Sequence, residues 1–230
     1  SNNAALGMQA LNQNTTASNN TAVGYQAGYS NTTGEYSTMV GWAAGYANTT
    51  GSIEAFGAGA LDANTTGTFN AALGRSALTS NTTGNNNVAI GYASLLLNTT
   101  ADYNTAVGYR AGYSTTTGES NVFVGGASWD SGYGAGYNNT TGQYNIAVGA
   151  SSLGNNTTAD GNTAVGHQAG YSTTTSPYNT FIGGIAGQAT TGSRNTFLGY
   201  NSGFAITSGT RNTILGRFSG NQGGLDIRTS

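Results

Sequence analysis

Eight carboxylates and one imidazole are the side chains of this 230-residue sequence that could carry acid–base chemistry. The acids are Glu35, Glu54, Asp62, Asp102, Glu119, Asp130, Asp160 and Asp226. Glycoside hydrolysis by paired carboxylates needs two of them within about 5–10 Å, and here most fall singly at predicted corners of different repeat units. Asp130, in a stretch that breaks the repeat, is the one acid worth inspecting, and no second acid lies close to it in sequence. His167 has no second ligand type at metal-binding spacing, and there is no cysteine. Its equivalents in other units are Tyr25, Trp42, Arg75, Tyr109 and Gly184, a mixture that describes an exposed position. Gly132-Tyr-Gly-Ala-Gly136 resembles part of a phosphate-binding loop, but no helix is predicted after it and the phrase recurs as ordinary repeat. The expectation is a non-enzyme with no cofactor and no metal.

The composition narrows the partners. Charged residues make up 6% of the chain, against a usual fraction near 25%. The formal net charge is -2 and there is no lysine. Broad basic patches for phosphate backbones are excluded, so no nucleic-acid partner is expected. No apolar run approaches the ~18–20 residues of a membrane helix, so no membrane insertion is expected. Glycine supplies 38 residues, yet aromatics reach 10% and there is one proline, unlike the usual disordered composition. The opening Ser1-Asn2-Asn3 falls inside a repeat unit, as in a segment of a longer polypeptide.

The elements that must position these residues are repeats. A phrase of the type Asn-Thr-Ala-aliphatic-Gly ends in anchor glycines at 7, 24, 41, 57, 74, 91, 108, 125, 149, 166, 183, 199 and 216. The steps are 17 residues, with 16 before Gly57 and Gly199 and 24 before Gly149. The long step reads as a seven-residue fragment, Gly125 to Ser131, ahead of an intact unit. The residue before each anchor is always bulky and apolar, from Leu6 and Val23 to Leu198 and Leu215, and is predicted to face inward. The residue three after the anchor is Ala or Ser, as in Ala27, Ala44 and Ser94, which predicts a tight interior contact. The next two positions hold either Leu and a polar or small residue (Leu61-Asp62, Leu78-Thr79) or Gly and an aromatic (Gly28-Tyr29, Gly45-Tyr46). Leu and ring are expected to fill one gap from adjacent positions. Four residues before the anchor, Asn recurs at Asn20, Asn87, Asn104, Asn121, Asn162 and Asn212, a candidate turn and ladder column. The Asn-Thr-Thr-Gly turns are predicted to use their glycine at positive φ.

Each unit therefore reads as two short strands and two corners, too small to bury a core alone. The fold class expected is all-β, a fibrous parallel β-solenoid or β-roll of about 17-residue coils. The organisation is regular coils over 1–124, an irregular partial coil at 125–131, regular coils over 132–219, and a C-terminal transition beginning at 220–230. With the pre-anchor column inward, strand alternation turns the column before it outward. Ala22, Met39, Ala106, Phe123, Phe181, Phe197 and Ile214 then form a candidate subunit interface, since a continuous apolar stripe is seldom left wet. The aromatic column after the anchor (Tyr25, Trp42, Tyr92, Tyr109, Tyr133, Tyr200) is a candidate glycan or surface contact.

Asn87-Val-Ala-Ile-Gly91 and Asn145-Ile-Ala-Val-Gly149 resemble the head repeat of YadA-type trimeric autotransporter adhesins. The longer unit, with Asn-Thr-Ala-Val-Gly-Tyr-Gln-Ala-Gly-Tyr and Asn-Thr-Thr-Gly, is still more similar to repeats of bacteriophage tail-fibre proteins. This resemblance implies a homotrimer that serves as the structural shaft of a virion tail fibre or other extracellular surface fibre. Its partners would be further copies of itself and host-surface glycans. The alternatives are an autotransporter-type adhesin head and, from the threonine ladder Thr15, Thr32, Thr49, Thr65 and Thr82, an ice- or surface-binding solenoid. The Asn-Thr-Thr sites at 14, 31, 48, 64, 81, 98, 139 and 156 also match the N-glycosylation sequon.

Overall fold

The computed structural model describes residues 2–127 and 132–219. They form thirteen short parallel strands of a β-solenoid, about twelve turns of roughly 17 residues, with no helix. Two compact units divide them. The first, up to Tyr109 together with Tyr113–Thr117, holds β1 (Ala4–Leu6), β2 (Thr21–Val23), β3 (Thr38–Val40), β4 (Ile53–Phe56), β5 (Asn70–Leu73), β6 (Val88–Ile90) and β7 (Thr105–Val107). The second, Arg110–Gly112 with the residues from Gly118 onward, holds β8 (Val122–Val124), β9 (Ile146–Val148), β10 (Thr163–Val165), β11 (Thr180–Ile182), β12 (Thr196–Leu198) and β13 (Thr213–Leu215).

Within each unit, equivalent residues pair from coil to coil. Thr21, Ala22 and Val23 align with Thr38, Met39 and Val40, and Thr163, Ala164 and Val165 with Thr180, Phe181 and Ile182. The coil carries one strand, not two. The remaining sides are turns whose backbone groups still bond to the next coil, as in Gly28 N–H to Ala44 C=O at 2.9 Å and Thr32 N–H to Thr49 C=O at 3.0 Å. Across the 24-residue step, Val122 pairs with Ile146, so the ladder skips the extra residues. Gly125 keeps the anchor conformation at φ +150°. The Ala135 amide bonds back to Gly125 C=O at 3.0 Å, as Ala10 does to Gly7 in the first coil. Ala135 and Gly136 thus hold the third and fourth places after this anchor. Residues 128–131, the core of the irregular fragment and the site of Asp130, lie outside the described residues, as does the 220–230 transition.

The strand is short because the anchor glycine ends it. Anchor φ values such as +139° at Gly41 and +132° at Gly57 are open to glycine. A Cβ on Gly41 would also lie 2.6 Å from the carbonyl carbon and oxygen of Gly57 one coil on. Two independent constraints, conformation and stacking, therefore demand glycine here. The Asn-Thr-Thr-Gly glycine differs from expectation: Gly34, Gly51 and Gly67 do not have positive φ. They are small because the next coil is close, and Ala17, Ala101 and Ala159 fill the same place in other coils, buried.

The interior reverses the predicted phase of the strand. Ala22, Met39, Ala106, Phe123, Phe181, Phe197 and Ile214, expected on a subunit interface, are buried in the core of their own chain. The pre-anchor column points outward, with Leu73, Ile90, Ile182 and Leu198 among the exposed apolar residues. The physical reason is cross-section. The inward strand residue shares its layer with the buried Asn four before the anchor, the buried Ala or Ser three after it, and the Leu or Gly four after it. A bulky aliphatic in every coil would overfill that layer.

The trade between Leu and Gly is likewise set by the inward strand column rather than by a ring filling the same gap. Leu61, Leu78, Leu95 and Leu153 are buried where their own coil and the next carry Ala at the inward strand place. Gly appears wherever either coil carries Met or Phe. A Cβ on Gly28 would sit 2.7 Å from Met39 Cε and 3.0 Å from Leu11 Cδ2. On Gly170 it would sit 2.6 Å from Phe181 Cδ2. The aromatic that follows these glycines lies half-exposed, and Tyr29 and Tyr46 stack on each other at 5.2 Å between centroids.

Candidate functional site

The backbone of each coil turns through several left-handed residues. In most coils the positions two and four after the anchor and five before it have φ near +50° to +60°, for example Gln26 (56°), Leu61 (51°) and Tyr36 (57°). Left-handed backbone costs an L-residue about 1–2 kcal/mol. At Leu61 the burial of the side chain offsets this. At the position five before the anchor the side chains point into solvent, so no burial offsets the cost.

Two asparagine columns line the inside of the corners. In the column four before the anchor, Oδ1 accepts the backbone N–H of the equivalent residue one coil on: Asn3 from Asn20 (2.9 Å), Asn20 from Ser37 (2.8 Å), Asn87 from Asn104 (3.0 Å), Asn121 from Asn145 (2.9 Å) and Asn195 from Asn212 (3.0 Å). The Nδ2 of Asn20 and Asn87 donates to the carbonyls of Gly34 and Ala101 at 2.8 Å. Asn162 accepts from Asn179 at 2.9 Å and completes the predicted ladder set. The left-handed residue is the one before this asparagine, not the asparagine itself. The second column forms side-chain amide ladders, with Asn64 Nδ2 to Asn48 Oδ1 (2.9 Å), Asn81 to Asn64 (2.8 Å), Asn98 to Asn81 (2.8 Å) and Asn156 to Asn139 (2.7 Å). These are sequon asparagines, and from Asn31 onward they are buried. Where the next coil substitutes threonine the ladder stops: Asn98 Oδ1 and Thr115 Oγ1 are both buried without a hydrogen bond among the described residues.

Three of the described carboxylates serve the corners. Glu35 accepts from Ser18 Oγ at 2.8 Å, Asp102 from Asn85 N–H at 2.6 Å, and Asp160 from Gln143 N–H at 2.7 Å. Each partner is one coil away in the same column, and none is another acid. Glu54 stands on the outward sheet face opposite Thr38 and Ala71. Burial raises its carboxyl above the ordinary 4.5, and burial likewise raises Asp62 above 3.8. Among the described residues no three His, Asp or Glu side chains converge as a metal set, and His167 is exposed.

The aromatic column after the anchor lies on the surface: Tyr25, Trp42, Tyr92, Tyr109 and Tyr200 are exposed. Tyr92 and Tyr109 stack at 5.2 Å, and Arg217 sits 5.7 Å from the Tyr200 ring centroid. Tyr133 departs from the column and stacks instead on Tyr137 (4.6 Å) and Tyr171 (6.2 Å). In the first unit the column is interrupted at Ala58 and Gly59, and the missing side chains leave a groove of about 400 Å³ lined by Trp42, Asp62, Arg75, Ser76 and Thr79. An aromatic face, a carboxyl and a guanidinium there can meet a polar ring or a small zwitterion.

A second aromatic row escaped the sequence reading. Tyr36, Phe69 and Tyr103 in the first unit, and Tyr144 and Tyr178 in the second, all stand five before the anchor, left-handed and exposed. The coils between them carry Ser52, Asn86, Ser120 and Gly161. The signal was available as an aromatic recurring every two units rather than every one.

The threonine ladder is also spoken for by the main chain. Thr15, Thr32, Thr49, Thr65 and Thr82 each donate Oγ1–H to the next coil's threonine carbonyl at 2.9–3.2 Å. No family model, curated protein or solved structure matches the chain.

Proposed function

We propose that this chain is a structural shaft segment of an attachment fibre, of the kind found in viral tail fibres and extracellular adhesins, and that it works as a homotrimer. One observation carries the reading. In each coil the residue before the anchor is a bulky apolar side chain on the outside of the sheet, from Val23, Val40 and Phe56 to Ile182 and Leu198. A row of this kind in each unit needs a cover. A second and third copy supply one that repeats at the same period as the row itself. The interface therefore moves from the inward column to this one.

Host-surface glycans remain the partner class, with the exposed aromatics as contacts and no chemistry performed on them. The ice-binding alternative is weakened because the hydroxyls of its threonine ladder are bonded to carbonyls. The test is the mass in solution by light scattering. Three times 23.1 kDa is expected. A monodisperse 23.1 kDa species sinks the trimeric shaft.

A further inference from the structure

Tyr36, Phe69 and Tyr103 occupy the same corner of alternate coils in the first unit. Their exposures are 65%, 68% and 61%, and among the described residues no other ring and no cation covers them. All three are held in left-handed backbone, φ 57°, 57° and 60°. Their amides are pinned to the coil before, Phe69 N–H to Ser52 C=O at 2.8 Å and Tyr103 N–H to Asn85 C=O at 3.1 Å. A bulky residue with positive φ is uncommon and needs a reason. Core packing supplies none, because these rings are outside. Asn19 and Asn86 occupy the same column with φ 61° and 56°, so the fold accepts a residue better suited to that conformation.

The spacing points to a ligand. Adjacent coils stack at ~4.8 Å, so the rings recur at about 9.6 Å. That is close to the disaccharide repeat of an extended β-1,4-linked glycan. In such a chain successive sugars are flipped, and every second one presents the same face to the same side. The apolar C–H face of a sugar stacks on an aromatic ring. The residue before each ring, Glu35, Thr68 or Asp102, offers oxygen acceptors beside it for equatorial hydroxyls. We propose that this row is a binding site for an extended β-1,4-linked polysaccharide lying along the stacking direction of the coils, with alternate sugars on Tyr36, Phe69 and Tyr103. In the second unit Arg194 lies 5.8 Å from the Tyr178 ring centroid, so the row is open in its full form in the first unit. This proposal does not rest on the trimeric shaft, because it concerns a different face of the coil.

The test is calorimetric titration of the full chain with cellohexaose, chitohexaose and, as a helically coiled control, maltohexaose. Binding of cellohexaose or chitohexaose is expected, and which of them binds tells whether the N-acetyl group matters. The variant Y36N/F69N/Y103N uses the asparagine that Asn19 and Asn86 already place in this column. It should keep the circular dichroism spectrum and weaken binding by about tenfold or more, a loss of about 1.4 kcal/mol. Should the triple variant misfold, Y103N alone is expected to weaken binding in the same direction. Absence of binding to both β-linked sugars, equal binding of maltohexaose, or undiminished binding by a folded triple variant would overturn the proposal. A change of solution mass in the triple variant without sugar binding would make the row a contact between copies, and overturn it equally. A monomeric mass with sugar binding intact would remove the trimer and leave this site standing.

Discussion

Single residues decide where this chain can turn. The anchor glycine answers to a φ that other residues rarely adopt and to a carbonyl one coil away, whereas Leu61, Leu78 and Leu95 tolerate left-handed backbone because their side chains are buried. The ladder asparagines turn the same logic on polar groups: inside a coil each amide needs a partner at the same height in the next. Thr115 breaks that pairing and orphans Asn98 Oδ1 together with its own hydroxyl. Thr115→Asn is expected to stabilise the chain by about 1 kcal/mol, within the usual worth of a hydrogen bond that relieves a buried orphan, read as a higher thermal midpoint. Glu54 and Asp62 are held above 4.5 and 3.8 by burial, so folding favours their protonated forms. That contribution is fully present below the unfolded-state values and is lost as pH rises through the raised folded ones. Thermal melts of the native chain and of E54Q/D62N between about pH 3 and pH 7 should show the native chain losing stability relative to the variant on going up through the carboxyl range, with a constant gap above it. An unchanged gap throughout would mean that burial of these two carboxyls has no thermodynamic weight.

At the scale of one coil, the interior is a fixed cross-section shared between two variable columns. Ala with Leu, or Met or Phe with Gly, are the two solutions the sequence uses, and the choice is made jointly with the next coil. Met39 is flanked by Gly28 and Gly45, each of which would bring a Cβ to within 2.7–2.9 Å of its terminal atoms. Met39→Ala should cost about 2–5 kcal/mol by opening a cavity. Adding Gly28→Leu should recover the larger part of it, because with Ala22 and an alanine at 39 this reproduces the Ala–Leu solution of the coils around Leu61 and Leu78. Gly28→Leu alone should destabilise the chain by overpacking against Met39. A denaturant double-mutant cycle measures the coupling, and strict additivity would refute the shared cross-section.

For the molecule as a whole, what matters is which columns remain outside once the core is filled. Among the described residues four apolar or aromatic rows do: the aliphatic row on the sheet, the aromatics after the anchor, the half-exposed rings that follow the core glycines, and the left-handed aromatics of alternate coils. The sheet row carries the proposed contact between copies. Replacing Val40, Phe56, Leu73 and Ile90 together by threonine, a residue the same face already uses at Thr21 and Thr38, should leave the solenoid spectrum intact. Light scattering should then fall from three times 23.1 kDa to 23.1 kDa. A quadruple variant that keeps its trimeric mass would place the interface elsewhere.

The repeat length and the parallel stacking could be read directly from recurrence, because a coil that stacks on its neighbour must present the same residue types at the same height; that the sequon asparagines form the side-chain amide ladder could not. Alternation along the strand was equally plain, but its phase was not. Two adjacent columns were both apolar, Ala22 beside Val23 and Phe181 beside Ile182, and local periodicity cannot tell which of them is enclosed. Only the tertiary structure decided it, since the answer depends on the volume left after the asparagines, the Ala or Ser contact and the Leu or Gly have entered the same layer. The second aromatic row lay beyond local reading for a related reason. Tyr36, Phe69 and Tyr103 have an ordinary residue type and a spacing of two units, and their significance comes from a backbone conformation and an exposure that exist once the coils have stacked.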